Sequence, residues 1–377
     1  MQRVGGPCRI DLVVGTRPNI IKLSSLANVL RAQAWCEARI VFIAQHTSRE
    51  LSGDVFEDLG MEASRITVIP LSHSGYGSRL GEVISAYSLE LAANRPDLVV
   101  VFGDVDVTLG AALAAKRAGI ALAHIEAGLR SGDREMPEEM NRILVDSITD
   151  LFYAPSEDAF NNLVFGEAKN PRQVHFAGNI MIDALVSTVD ESLQRRLETE
   201  YGIRRGQFAL ATFHRPSNVD DGDSLAVVVD LLEDLAARLP LLLPLHPRTE
   251  LALQRHGLRC RLAGNDRVRD VPAIRYGAFV NLVAMSRLVL TDSGGTQEEA
   301  SFLGVPCLTY RDTTERPATI RLGTNTLVNR YDVGDAIESA LRAGSHAHEV
   351  RLPIPLWDGK TAYRIAASLC LWWSGRA

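Results

Sequence analysis

The sequence predicts an α/β protein of two domains, each a parallel sheet covered by helices. Three observations lead there. Strand-like apolar runs alternate with helical patterns along the chain. The runs are continuously apolar, as expected of strands covered on both faces. They also fall into two series separated by a polar helical stretch after Val189, in a chain of 377 residues that is long for one core.

The first series holds IDLVVG (10–15), ARIVFIAQ (38–45), DLVVVFGD (97–104), IALAHIE (120–126) and LFYAPSE (151–157). The second holds QFALATFH (207–214), LLLPLHP (241–247), RLVLTDSGG (287–295) and PCLTYRD (306–312). The junction is expected between Gly178 and Val189, giving domains at 1–185 and 186–355. A last helix, within 356–377, is apolar on one side. Exposing its Trp372 and Trp373 is costly, so it should pack on the body.

Composition narrows the function classes. The chain is 46% hydrophobic and 23% charged, as in ordinary globular proteins. A net charge of −6 argues against a general nucleic-acid binder. Five scattered cysteines without a CxxC pair suggest neither a disulfide framework nor a zinc site. No apolar run approaches membrane-spanning length, and the start of the chain lacks a signal-peptide core. These features point to a cytoplasmic protein.

In parallel α/β sheets, ligands sit beyond the carboxyl ends of strands. After the first run comes Gly15-Thr16-Arg17-Pro18. A strand, a glycine turn and a proline at a helix start place free N–H groups beside a cation, which suits a phosphate. A surface turn with a solvated arginine is the plain alternative. Asp292-Ser293-Gly294-Gly295 precedes another helix start, where the backbone can approach a diphosphate and Ser293 adds a hydroxyl. Glu298 and Glu299 either complement the helix dipole or take ribose hydroxyls. No GxGxxG or Walker sequence is present. His214-Arg215 and His246-Pro247-Arg248 at strand ends suggest anion contact.

The stretch HIEAGLRSGDREMPEEMNR, from His124 to Arg142, is dense in charge. Asp104 and Glu126 end adjacent runs, and Pro137 suits a helix start that puts Glu138 and Glu139 in the first turn. Glu138 and Arg142 are spaced to pair at i,i+4, and Asp106 has the look of an N-cap. The carboxylates either stabilise helix dipoles or form an acid–base cluster, since close like charges drive their pKa values apart.

With these residues in place, the sequence resembles the non-hydrolysing UDP-N-acetylglucosamine 2-epimerases over nearly its whole length. The shared motifs run in order: GTRP (15–18), QH (45–46), GD (103–104), HIEAGLRSGD (124–133), PEEMNR (137–142), GN (178–179), HRPSNV (214–219), HP (246–247), TDSGGTQEE (291–299) and DTTERP (312–317). The resemblance implies a GT-B-like fold: two Rossmann-like domains, a cleft between them, and a C-terminal helix crossing back to the first. It implies inversion at the sugar C2 by elimination of UDP to 2-acetamidoglucal and readdition, with no metal or NAD. Asp104, Glu126 and Glu138 become the acid–base candidates of the first domain. Arg142 and His214 join them as catalytic residues.

The second domain becomes the UDP-binding one. Arg17, His214, Ser293, Gly294 and Gly295 would hold the diphosphate, Glu299 the ribose and Phe279 the uracil, with Arg316 orienting carboxylates and phosphate. A homodimer is expected. Alternatives are a modified UDP-2-acetamido sugar as substrate, a hydrolysing epimerase, a glycosyltransferase of the same fold and a non-catalytic sugar-nucleotide binder. Four departures from the family pattern stand out: Asn19 follows GTRP where Glu is usual, the loop between Asp133 and Pro137 is shorter than in many members, Asp106 replaces a hydroxyl- or amide-bearing residue, and Ser48 follows the QH pair where a second Gln is common.

Overall fold

The computed structural model describes residues 6–44, 66–72, 76–342 and 353–376. It divides into two units, residues 1–184 with 355–377, and residues 185–354.

The first unit holds β1 (Cys8–Val14), β2 (Cys36–Ala44), β3 (Ile66–Pro70), β4 (Leu98–Phe102), β5 (Ala121–Ile125), β6 (Leu151–Ala154) and β7 (Val174–Phe176). They form one sheet in the order β3-β2-β1-β4-β5-β6-β7. The second unit holds β8 (Ala209–Thr212), β9 (Leu241–Leu245), β10 (Val268–Pro272), β11 (Leu288–Thr291), β12 (Cys307–Tyr310) and β13 (Asn325–Val328), in the order β10-β9-β8-β11-β12-β13. The pairings are parallel throughout. Both sheets reverse direction of winding once, between β1 and β4 and between β8 and β11. That reversal leaves a crevice at the carboxyl ends, the expected ligand position in such sheets.

Strand side chains alternate between two cores. Ile10, Leu12, Leu98, Val100 and Phe102 join one core with the helices Arg17–Arg31 and Thr361–Ser374. Val13, Val99 and Val101 join another with the helices Tyr76–Ala93 and Asp106–Arg117. This period-two split explains why the strands read as unbroken apolar runs. The edge strands β3, β10 and β13 carry no such run, because an edge is only half covered; β3 and β10 are largely half-buried or exposed.

The last helix starts on a cap from far away in sequence. Asp183 accepts hydrogen bonds from Thr361 N at 3.1 Å and Ala362 N at 2.7 Å, satisfying donors that the helix itself cannot. Ile365, Ala366 and Leu369 are buried in the β1 core, with Trp372 and Trp373 partly buried against it. Cys8, Cys36 and Cys307 are buried thiols, whereas Cys260 is exposed. Among the described residues no helix is long and apolar enough to cross a membrane.

Gly15, at the β1 end, is a packing requirement as much as a turn. A Cβ there would stand 2.4 Å from Val107 Cγ2 and 3.0 Å from the Ile43 carbonyl oxygen. Gly15→Ala should therefore lower stability by about 1–3 kcal/mol through overpacking. Urea unfolding of the two proteins checks this, and an unchanged midpoint would mean that the helix at Val107 yields freely.

Candidate active site

In the first unit the reversal point gathers four chain ends: Gly15–Arg17 after β1, Gly103–Asp104 after β4, Glu126 after β5, and the start of the helix Pro137–Ile148. Glu126 sits in the left-handed region with φ 72°. That conformation costs a non-glycine residue on the order of 1–3 kcal/mol and survives where surroundings impose it. Here they do. Lys22, from the helix Arg17–Arg31, places Nζ 2.5 Å from Glu126 Oε2, and both side chains are buried. Gly103 also takes a positive φ, and a Cβ on it would lie 3.1 Å from Glu126 Oε2 and 3.2 Å from Asn19 Oδ1. Asn19 Nδ2 donates to the Phe102 carbonyl at 2.9 Å, tying the helix to the β4 end.

Asp104 has its own cation. Its Oδ2 pairs with Arg142 Nη2, and Arg142 Nη1 donates to Glu139 Oε2 at 2.9 Å. Glu139 also accepts from Ser131 N and Gly132 N, at 2.9 and 3.1 Å. The i,i+4 partner expected for Arg142, Glu138, is not the one it takes; Glu139 at i,i+3 and Asp104 occupy the guanidinium instead. The two neighbouring first-turn glutamates thus differ. Glu139 is buried and shapes the loop before the helix, while Glu138 is half-buried with no side-chain hydrogen bond or ion pair among the described residues. Asp106 is not an N-cap: Val105 holds that position and Asp106 opens the helix. Its carboxylate lies 3.4 Å from Asn141 Nδ2 and 3.9 Å from Arg79 Nη1.

A buried histidine braces this edge. His124 Nδ1 meets Asp146 Oδ1 at 2.7 Å, and Nε2 meets the Gly103 carbonyl at 2.8 Å. Burial would raise the Asp146 carboxyl, but His124 and Arg130 outweigh it and hold it below its ordinary value. Arg17 is half-buried at the first position of its helix, whose first turn carries no acid and whose N-cap, Thr16, makes no capping bond. Free N–H groups and a guanidinium at one point suit an anion.

The second unit has its own cluster at its reversal point. Asp292, fully buried after β11, accepts from His214 N, Arg215 N and Asn218 Nδ2 at 2.9–3.1 Å. His214 Nδ1 lies 3.2 Å from Asp292 Oδ1. A carboxylate there favours the proton on Nδ1, leaving Nε2 of a neutral ring as acceptor. Burial moves the His214 pKa below its ordinary value, against the pull of Asp292. His246 lies beside it with its ring tilted by 35°, centroids 5.4 Å apart, and its Nδ1 accepts from Arg248 N.

Ser293 caps the helix Gly294–Leu303, its hydroxyl accepting from Thr296 N at 3.4 Å. The two glycines differ in purpose. Around Gly295 the space for a Cβ is open, whereas at Gly294 a Cβ would meet Arg316 Nη1 at 2.6 Å. Gly294 thus makes room for a guanidinium. Arg316 Nε lies 2.8 Å from Glu298 Oε1, and its Nη1 pairs with Glu315 Oε1. Phe279 is half-buried on the helix Tyr276–Met285, one turn after Tyr276. Gln45, His46 and Ser48 lie outside the described residues.

Sequence reasoning therefore located the strand-end residues, named Asn19, His124 and Glu139 without their contacts, and missed Lys22 and Asp146, which reach the cluster from elsewhere in the chain. A lysine inside the apolar stretch IIKLSSL was the one signal available for Lys22. Among the described residues no group of three His, Cys, Asp or Glu is placed to hold a metal ion.

Against known proteins, the family model described as UDP-N-acetylglucosamine 2-epimerase matches residues 28–370. The chain belongs to this family. A UDP-N-acetylglucosamine 2-epimerase of Methanococcus maripaludis is 32% identical over 360 residues, covering 94% of this chain and 96% of that protein. A UDP-2,3-diacetamido-2,3-dideoxy-D-glucuronate 2-epimerase of Pseudomonas aeruginosa is 34% identical over 323 residues, covering 85% and 88%. The crystal structure of the Methanocaldococcus jannaschii UDP-GlcNAc 2-epimerase in complex with UDP-GlcNAc and UDP superposes with a TM-score of 0.87 at 33% identity, covering 96% of this chain and 99% of that one. The family's GT-B-like fold is built from two parallel-sheet α/β domains, as are the two units described above.

Glu299 yields a pH test. Burial, then the neighbouring Glu298, push its carboxyl up to about 7 from an ordinary 4.5, with the Tyr276 hydroxyl pulling the other way. Between those values the folded chain binds more protons than the unfolded one, so stability falls as pH rises through the window. Glu299→Gln cannot ionise. It should gain on the wild type by on the order of 3 kcal/mol as pH climbs from about 4.5 to 7. Urea unfolding at a series of pH values measures this; a difference independent of pH would show that Glu299 titrates normally.

Proposed function

We propose that the chain interconverts UDP-N-acetylglucosamine and UDP-N-acetylmannosamine by eliminating UDP and adding it back. The observation that carries the reading is the carboxylate set at the β1–β4–β5 ends, where Glu126 and Asp104 are each held by a cation and Glu138 has no ion-pair partner among the described residues. The chemistry asks for such a set. The C2 hydrogen of the sugar stands beside an acetamido nitrogen rather than a carbonyl, so enolisation is closed. Elimination moves the C2 proton to a base, while the C1–O bond breaks and its electron pair leaves with UDP. The product is 2-acetamidoglucal. Readdition returns a proton to C2 from the opposite face, and UDP recombines at C1. Two carboxyl groups in different charge environments supply a base and an acid.

In this reading Asp104, Glu126 and Glu138 exchange protons with the sugar and Arg142 orients Asp104. Arg17, His214, Ser293 and the Gly294–Gly295 helix start stabilise the departing diphosphate, whose charge grows as the bond breaks. Glu299 takes the ribose hydroxyls, Phe279 stacks on uracil, and Arg316 holds the glutamates beside the phosphate site. The Methanocaldococcus jannaschii structure, with UDP-GlcNAc and UDP bound, supports the substrate. The reading includes a homodimer in the cytoplasm, supported by the family resemblance and tested by sedimentation.

The Pseudomonas aeruginosa relative favours a second reading, in which the sugar is a 2,3-diacetamido uronic acid carried on UDP. The decisive experiment is proton NMR of each UDP-sugar with the enzyme in D₂O. Deuterium at C2 together with the 2-epimer is the expected result for UDP-N-acetylglucosamine; conversion of the diacetamido sugar alone would select the second reading. Glu126→Gln and Glu138→Gln should each lower turnover by about 10²–10⁴-fold with UDP binding retained. Near wild-type turnover in either variant would reduce that residue to a structural role.

A further inference from the structure

Asp106 is a carboxylate at the β4 end that the proposed reaction does not use. It stands two residues after Asp104 and opens the helix Asp106–Arg117. A first-turn acid complements a helix dipole, and a solvated side chain serves that purpose. Asp106 is packed instead: its side chain is 15% exposed, and its Oδ1 lies 3.4 Å from Asn141 Nδ2. The same nitrogen donates to the Asp104 carbonyl at 2.8 Å. Asn141 follows Glu138 by three residues on the helix Pro137–Ile148, so the two share a face. Asn141 therefore ties Asp106 to the acid–base candidates Asp104 and Glu138.

The charges around this point are unequal. Asp104 meets the guanidinium of Arg142 directly. The ion pair of Asp106 is with Arg79, whose Nη1 lies 3.9 Å from Oδ2, near the outer limit of such a contact. Glu138 has no ion-pair partner among the described residues. The same strand ends also hold an acceptor without a donor, for Glu126 Oε1 is buried with no hydrogen-bond partner among the described residues. A sugar ring with hydroxyl and amide N–H groups brings donors to such oxygens. A ring with a carboxylate brings one more acceptor and one more negative charge. We infer that Asp106 is a specificity-determining residue: its charge admits a 2-acetamido sugar with a hydroxyl group at C6 and turns away the corresponding uronic acid. The charge acts through space, and like charges in a partly dry site change an affinity by about 10–100-fold. The inference deepens the proposed 2-epimerase activity and rests on it.

The test compares UDP-N-acetylglucosamine with its C6-oxidised counterpart, the UDP-linked 2-acetamido-2-deoxyglucuronate, which differs from it at C6 alone. Both are followed by steady-state epimerisation, and the uronate also by its inhibition of UDP-N-acetylglucosamine turnover. The wild type should use the uronate with a kcat/KM lower by about 10²-fold or more. Asp106→Asn should raise the uronate value by about tenfold or more and tighten its inhibition, with UDP-N-acetylglucosamine within about threefold of wild type. Asp106→Thr keeps an oxygen at the helix start without the charge; it should behave alike, and it carries the test if D106N does not fold. A purely structural role at the helix start would shift both substrates together and leave their ratio alone. A wild type that uses the two sugars equally well, or variants whose ratio and uronate inhibition stay within about threefold of wild type, would overturn the inference. A wild-type enzyme that neither exchanges C2 of UDP-N-acetylglucosamine nor converts it would instead overturn the activity on which the inference rests.

Discussion

The reversal of strand order in each sheet is the constraint on which the rest depends. A parallel sheet must cover both faces with helices, so its only open polar ground lies at the strand ends. At β1 and β4 the connecting helices leave in opposite directions, and the ends of both strands are left uncovered. Gly15–Arg17 and Gly103–Asp104 occupy that opening in the first unit. His214 and Asp292 occupy the equivalent opening at β8 and β11 in the second. The same topological event therefore leaves an opening in each unit, with different side chains in each.

The two openings are electrostatically unlike. The first sets carboxylates beside dedicated cations, Lys22 for Glu126 and Arg142 for Asp104. Such pairing allows charged groups to stay dry, and low dielectric makes each neighbour count for more. The second presents helix-start N–H groups, a histidine oriented through buried Asp292, and arginines already engaged by Glu298 and Glu315. One opening is suited to moving protons and the other to holding an anion.

Positive φ angles mark the carboxylate-bearing strand ends of the first unit. Glu126 and Gly103 both adopt positive φ on neighbouring strand ends, and each limits the space of the other. His124 and Asp146 brace the Gly103 carbonyl from within the core. The carboxylate is thus held by packing from below, by an ion pair from the side and by its own unusual backbone. A group held in this way has little freedom to reorganise.

Fold class, the two series of strands and the strand-end motifs follow from sequence alone, because central strands of a covered sheet must be apolar without interruption and ligand residues must follow them directly. The placement of Asp104, Glu126, Arg17, His214 and Ser293 beyond strand ends was legible for that reason. Edge strands β3, β10 and β13 were not, since a half-covered strand has no need of an apolar run. Nor were the partners that arrive from distant segments. Lys22 lies 104 residues from Glu126, and no local spacing relates them. Spacing pointed Arg142 to Glu138 at i,i+4, but Glu139 at i,i+3 is within reach of the same helix and takes it. The loop at Ser131 and Gly132 settled it by presenting two N–H groups to Glu139. Sequence determines which residues stand at the opening of a sheet; only the packed chain decides which charge each of them meets there.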